Sequence, residues 1–425
     1  MSSSLPRFSL CVVVMACLAG CGGSPSSSSG GGGTGGGSPT TVTYTFTGAL
    51  PTAVATQIGT GAYQLTSLQA GKLTVSVPSG TANYSVAWIC PTDAALAFTQ
   101  QFVFHRSIED GASFSEHCPQ SPAPQRSLAT LEVNAAAIPG AESISIWGAG
   151  YSLPQLIANG TVSFSGQMVA GTYDVFVVAY GLDPFIPIAV RILRSQTIPG
   201  ALNGGNPVVF TPSDATVSQT ISNNNLPNGL SIFVSDIDYW TFGGQELALG
   251  SIITSTPATQ YPAIPAAAVQ NGDYYTFQSA AYSSLSGGGE SVAVQTATAS
   301  GGAQTITYPS PWVWSGPSAA TLPTFSFNYP GFSGMSSIVQ SAWIRWIQGK
   351  VSNNSIQVSA TGNYQNGATS IAIPDLSGLA GFLAPSPSGT TVYWSASIQE
   401  GSAFETTPPS GIVQTVGSSG QYTEP

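Results

Sequence analysis

The chain has 425 residues, 8 basic and 18 acidic side chains and a formal net charge of −10, with only 6% Asp, Glu, Lys and Arg. An average soluble domain carries about 25% charged residues, so this surface must be built from Ser, Thr, Asn, Gln and Gly. The acidic balance argues against a nucleic-acid partner and against electrostatic attraction to anionic lipid.

At the start of the chain a single positive charge, Arg7, precedes an apolar run over residues 10–19, then Gly20 and Cys21. That run is about ten residues, short of the roughly 20 that cross a bilayer, and reads as the core of a signal peptide over residues 1–20. The quartet Leu18-Ala19-Gly20-Cys21 resembles the lipobox of bacterial lipoproteins. The resemblance implies that Cys21 receives a diacylglyceryl group and that cleavage just before it frees an amine for a further acyl chain such as palmitate. Two or more chains anchor a protein stably where one holds it marginally. The alternative is an ordinary cleaved signal with an incidental cysteine. Gly22 stands where an Asp would resemble an inner-membrane retention signal, so for a Gram-negative source the expected address is the outer membrane. Residues 21–41 are then the lipidated cysteine and a tether of Gly, Ser, Pro and Thr without charge or large apolar groups, too poor in buriable surface to order itself.

Beyond the tether, strand patterns dominate. Thr43-Tyr44-Thr45-Phe46-Thr47, the run 72–77 and Ser143-Ile144-Ser145-Ile146 alternate polar and apolar residues with the period of half-buried strands. With 49 glycines and 31 prolines as punctuation, long helices are not expected. An apolar residue followed by proline recurs at Leu50-Pro51, Ile138-Pro139, Leu226-Pro227 and, more loosely, Tyr329-Pro330, the prolines being 88, 88 and 103 residues apart. A Gly-led aromatic strand follows each of them, opening at Gly80, Gly171, Gly272 and Gly389. A third marker pairs Arg106-Ser107 and Gly111-Ala112 with Arg194-Ser195 and Gly200-Ala201, and continues at Gly302-Ala303. Three markers in one register predict tandem copies.

About seven strand-like runs per copy suit an immunoglobulin-like or related Greek-key sandwich. The expectation is therefore an all-β tandem array of about four such sandwiches after a flexible Gly/Ser linker, over residues 42–128, 129–217, 218–318 and a divergent 319–425. The fourth copy is set apart by 59 residues between Pro330 and Gly389, against 29 in the first, and by a missing third marker. The strand Gly171-Thr-Tyr-Asp-Val-Phe-Val-Val-Ala resembles the Gly-x-Tyr-x-Val-x-Val strand of carboxypeptidase-regulatory-like and other Ig-like bacterial domains. That resemblance implies a fold and no ligand.

Cys90 and Cys118 are the only thiols left in the mature body once the signal is removed and Cys21 is lipidated. A disulfide between them is expected in an oxidising compartment, stabilising the first copy by about 3–4 kcal/mol in the chain-entropy model. A soft-metal site with His105 and His117 is the weaker alternative, because the adjacent His117 and Cys118 would point to opposite faces of a strand. With just these two histidines, a His-based triad would be confined to the first copy, beside Glu109, Asp110 and Glu116. Gly331-Phe-Ser333-Gly-Met335 falls one glycine short of a nucleophile elbow. Asp236-Ile237-Asp238 offers two hard oxygen ligands of the six to eight that calcium takes, and ordinary turn use is the competing reading. Trp312, Trp314, Trp343 and Trp346 are either core residues or a stacking platform for a glycan or peptide. The sequence thus points to a non-catalytic envelope lipoprotein, without metal or cofactor, that displays its sandwiches to a protein or glycan partner. Glycan binding through the C-terminal aromatics is the second reading.

Overall fold

The computed structural model of the protein describes residues 38–93, 98–118, 126–148, 155–157, 160–183, 186–284, 289–299, 301–332, 338–348, 352–401 and 411–425. The signal peptide, Cys21 and most of the tether lie outside the described residues, as does Ser333. Four successive units contain the strands. Unit 1 holds β1 (Thr40–Gly48), β2 (Ala53–Ile58), β3 (Gln64–Leu65), β4 (Lys72–Val77), β5 (Asn83–Asp93), β6 (Phe98–Ser107) and β7 (Ser113–Cys118). Unit 2 holds β8 (Arg126–Asn134), β9 (Ser143–Trp147), β10 (Gln155–Leu156), β11 (Thr161–Val169), β12 (Gly171–Tyr180), β13 (Pro187–Ile198), β14 (Gly200–Ala201) and β15 (Val208–Val209). Unit 3 holds β16 (Val217–Asn224), β17 (Ile232–Trp240), β18 (Glu246–Thr254), β19 (Gln260–Ala263), β20 (Tyr274–Tyr282), β21 (Gly289–Thr298) and β22 (Gln304–Thr307). Unit 4 holds β23 (Thr324–Ser326), β24 (Ile338–Gln348), β25 (Ser352–Thr361), the one-turn helix α1 (Gly362–Gln365), β26 (Ser370–Ala372), β27 (Thr391–Glu400) and β28 (Gly411–Thr423).

The protein is an all-β, multi-domain sandwich, and its units repeat one topology. In units 1 to 3 the first strand pairs antiparallel with the fourth and parallel with the seventh, giving β4-β1-β7, β11-β8-β14 and β19-β16-β22. The second, third, fifth and sixth strands make the other layer, in the orders β3-β2-β5-β6, β10-β9-β12-β13 and β18-β17-β20-β21. A constant-type immunoglobulin sandwich also divides seven strands between two sheets, but sets A, B, E and D against C, F and G. Each sequence marker falls at the same place in this plan. The apolar-Pro pairs lie between first and second strands, the leading glycines open the fifth strands, and the Arg-Ser and Gly-Ala pairs sit at the passage from sixth to seventh. In unit 4, β28 is the sixth strand among the described residues. Thr40 and Thr41 pair with Val77 and Ser76, so β1 begins inside the stretch read from the sequence as tether, whose last two residues are held by the strand ladder.

Tandem order is not spatial order. The four-stranded layers of units 3, 4 and 1 join edge to edge into one twelve-stranded sheet, β18-β17-β20-β21-β28-β27-β24-β25-β6-β5-β2-β3. Antiparallel β21 and β28 pair from Gly289↔Ser419 to Ala297↔Gly411, and parallel β25 and β6 from Asn353↔Phe98 to Ala360↔His105. The last unit therefore sits between the third and the first. This explains why the fifth strands depart from alternation. In β12, Val175, Val177 and Ala179 fill the core of unit 2, while Phe176, Val178 and Tyr180 on the other face belong to a core shared with units 3 and 4. Ala87 of β5 and Val103 of β6 join that shared core from unit 1.

The extra length of unit 4 has a structural use. Asn83 Nδ2 donates to the Tyr364 carbonyl and the Leu383 amide donates to Gln101 Oε1, so the stretch that includes α1 and the chain after β26 closes over the outer face of unit 1. Leu379, Phe382 and Leu383 pack there against the shared core.

Candidate functional site

Cys90 on β5 and Cys118 on β7 form a disulfide with Cα atoms 5.3 Å apart, joining the two layers of unit 1. The bond takes both sulfurs away from any metal. Gly48, opposite Cys118 in the β1–β7 ladder, is held at φ 76°, and a Cβ there would meet the Cys118 carbonyl oxygen at 2.1 Å. The two histidines are separated. His117 Nδ1 lies 3.2 Å from Thr47 Oγ1, while His105 Nδ1 lies 2.7 Å from Ser85 Oγ. A Ser–His contact has the chemistry of a nucleophile and base, but Ser85 is fully buried and the His105 ring stacks on Tyr364 of α1 at 4.9 Å. Burial lowers the His105 pKa to about 4, so the ring is neutral at physiological pH. Two of the three acids considered for a triad are committed elsewhere. Asp110 accepts from the Ser107 amide, Thr361 Oγ1 and Asn363 Nδ2, and buried Glu116 pairs with Arg106 at 3.1 Å. Burial pushes Glu116 up to about 7, with Arg106 opposing the rise.

The four tryptophans singled out in the sequence divide. Trp312 is 3% exposed and Trp346 is 1% exposed, so both are core residues and neither can stack on a ligand. Trp312 and Trp314 are stacked at 5.2 Å and 3°, as parity along the segment predicts, but they turn inward onto Phe327, Phe325 and Trp394. Gly316 lets that segment pass, since a Cβ there would sit 2.3 Å from the Trp394 ring. Trp343 alone of the four is on the opposite, outer face of its strand, half-buried.

That outer face continues across units 3 and 4. Val292, Val416 and Ile398 stand in register in the shared core, so the non-core faces of β17, β20, β27 and β24 fall on the same side of the sheet. There Trp240 and Tyr274, cross-strand partners on β17 and β20, stack at 6.0 Å and 1°, and Trp240 Nε1 donates to Thr276 Oγ1. On unit 4, Tyr393 is 39% exposed and stands opposite Arg345, whose Nη2 donates to Asn353 Oδ1 at 2.9 Å. Ser341, Ser395, Ser397, Gln357 and Gln399 share that face.

Asp236 and Asp238 share this face with Trp240, and Glu246 joins them from β18. Burial, reinforced by Glu246 and Asp236, pushes the Asp238 carboxyl up to about 8, so it carries its proton at neutral pH. Glu246 is raised as well, by burial and by Asp236. Among the described residues no group of three or more His, Cys, Asp or Glu is arranged to hold a metal ion.

Neither a family model nor a curated protein matches the chain. Among solved structures, a leucine-rich repeat protein from Bacteroides thetaiotaomicron is 11% identical with a TM-score of 0.13, over 42% of this chain and 27% of that one. The TIE protein of Bacillus anthracis is 9% identical with a TM-score of 0.15, over 64% of this chain and 50% of that one. The chain spans half or less of the length of each, and at these scores neither bears on its fold or function.

Sequence reasoning missed Trp240, Tyr274, Tyr393 and the Asp238–Glu246 neighbourhood. The alternation that carries Asp236, Asp238 and Trp240 to one face was present beyond Val234, and Tyr274 lay inside a marker strand. Which face was open depended on how the units pack.

Proposed function

We propose that the protein is a lipid-anchored component of the bacterial cell envelope that acts by binding through the open face of its continuous sheet and performs no catalysis. The lipobox-like quartet ending at Cys21 supports the anchor, and the Gly/Ser-rich stretch up to Thr40 supplies the tether. One observation carries the binding role. Three sandwiches joined edge to edge give a broad, rigid sheet whose outer side, over units 3 and 4, is lined by Ser, Thr and Gln with aromatic rings at half-buried positions. The partner is an envelope protein or glycan. Acyl labelling tests the anchor: wild type should take up labelled palmitate and sediment with outer membranes, and Cys21→Ser should do neither. In-cell crosslinking followed by capture tests the role. Recovery of no envelope partner, together with turnover of a substrate by the purified chain, would sink it.

A second reading, glycan binding, is favoured by the parallel Trp240–Tyr274 pair, because flat rings stack on the apolar faces of sugars and the neighbouring carboxyls can exchange hydrogen bonds with hydroxyls. It predicts a tryptophan fluorescence change on adding polysaccharide that Trp240→Ala abolishes and Trp312→Ala, in the core, does not. Silence across a broad glycan panel would remove it.

A further inference from the structure

The fold joins its own units by pairing strand edges, β21 with β28 and β25 with β6. Those contacts leave the twelve-stranded sheet with two ends, β3 and β18. At one end β3 is two residues long. The equivalent layer of unit 2 ends in β10, also two residues, and in β13, which opens with Pro187, carries Arg191 and Arg194 and is out of regular register with β12 at two places. Short length, proline, charge and irregular register are the means by which edge strands avoid pairing. In the smaller layers the long edge strand β11 exposes Thr161, Ser163, Ser165 and Gln167, without a large apolar side chain.

The other end, β18, is different. It is nine residues long, and its register with β17 breaks between Ile237 and Asp238, near Glu246. Beyond that break Gly250-Ser-Ile-Ile-Thr254 pairs regularly from Ile237↔Gly250 to Phe233↔Thr254, with neither charge nor proline. Ile253 is 55% exposed there. A regular, neutral, apolar edge of this kind is a template for another strand.

We propose that a second copy of this chain occupies it, by antiparallel pairing of the two β18 strands about a two-fold axis at Ile252. Gly250 then meets Thr254 of the other copy, Ser251 meets Ile253, and Ile252 meets itself. Register with β17 places Ser251 and Ile253 on one face of the strand and Gly250, Ile252 and Thr254 on the other, so every pair shares a face. The exposed Ile253 gains a cross-strand neighbour, and Glu246, the only charged residue of β18, lies outside the paired stretch. The arrangement continues the sheet by the same antiparallel edge pairing that already links units 3 and 4, and is independent of what the open face binds.

The test uses the mature chain carrying Cys21→Ser and lacking the signal peptide of residues 1–20, so that neither lipid nor the apolar run with Cys11 and Cys17 can drive association. Sedimentation equilibrium should give a monomer–dimer equilibrium, and Ile253→Lys should return the chain to monomer without changing its circular dichroism. A single cysteine supplies a geometric check. Residues directly opposite in an antiparallel pair have Cα atoms about 4.5–5.5 Å apart, within disulfide range. Ile252→Cys should therefore oxidise to a covalent dimer, while Leu182→Cys, at a site 87% exposed, should stay monomeric. Monomer mass at every concentration, a dimer indifferent to Ile253→Lys, or equal crosslinking at both cysteines would each overturn the proposal.

Discussion

Asp238 shows what the open face does to a single side chain. It is largely buried on the sheet with Glu246 and Asp236 nearby, and its pKa rises from 3.8 to about 8. The folded form therefore keeps a proton that the unfolded chain sheds once pH passes about 4. Between those two values unfolding releases the proton, so stability contributed at this position is intact in acid and declines as pH rises toward 8. Asp238→Asn removes the titration. Thermal melts should show no gain for the variant at pH 4 and a gain of roughly 1–3 kcal/mol at pH 8, discounted from the 1.36 kcal/mol per pKa unit of linkage because the group is not sealed from water. Equal gains at both pH values would mean that packing, not charge, is responsible. The two Asp residues were visible in the sequence as a candidate cation site. Their true setting depended on Glu246, brought alongside by the β17–β18 pairing, and no spacing rule encodes that.

Equivalent residues can serve different elements. Arg106 and Arg194 occupy the same place in their repeats, as their spacing of 88 residues indicated. Arg106 stays inside unit 1, paired with Glu116 and lying 3.7 Å over the Phe114 ring. Arg194 instead crosses to unit 3, binding Asp273 at 2.6 Å and Asp174 of its own unit at 3.2 Å, while Asp273 also accepts from Tyr239 and from the amides of Gln270 and Phe242. Periodicity located both arginines, yet the divergence of their partners lay in the packing of unit 2 against unit 3. Arg194→Ala leaves the buried Asp273 carboxylate with hydrogen bonds but no countercharge, and should cost about 2 kcal/mol, read by denaturant midpoint. In unit 1 the disulfide ties β5 to β7, opposite layers of one sandwich. Replacing Cys90 and Cys118 together by alanine should cost about 3–4 kcal/mol, the loop-closure entropy of the 28-residue separation. An unchanged midpoint would mean that the unfolded chain is already constrained there.

At the scale of the whole molecule, repeat length, strand content and the order of sequence markers were legible because each unit folds its six to eight strands locally. What the sequence concealed is that the units are not beads. Unit 4 lies between units 3 and 1 because β25 and β28 offer edges that β6 and β21 complete, and that choice rests on backbone groups that every residue possesses. The one trace in the sequence was the run of apolar residues on both faces of β12, excessive for a sandwich that buries one. Sharing has a thermodynamic consequence. The core built from units 3 and 4 also contains Ala87 and Val103 of unit 1 and Phe176 and Val178 of unit 2, so loss of any unit exposes apolar surface on its neighbours. The chain should therefore unfold in a single calorimetric transition whose van't Hoff and calorimetric enthalpies agree, despite a length at which separate domains usually melt separately. Ile356→Ala on β25, whose side chain is buried in the shared core next to β6, should lower that one transition by about 2–5 kcal/mol in total. If unit 4 were autonomous, the same substitution would split the trace, moving one peak and leaving the transition of disulfide-linked unit 1 in place.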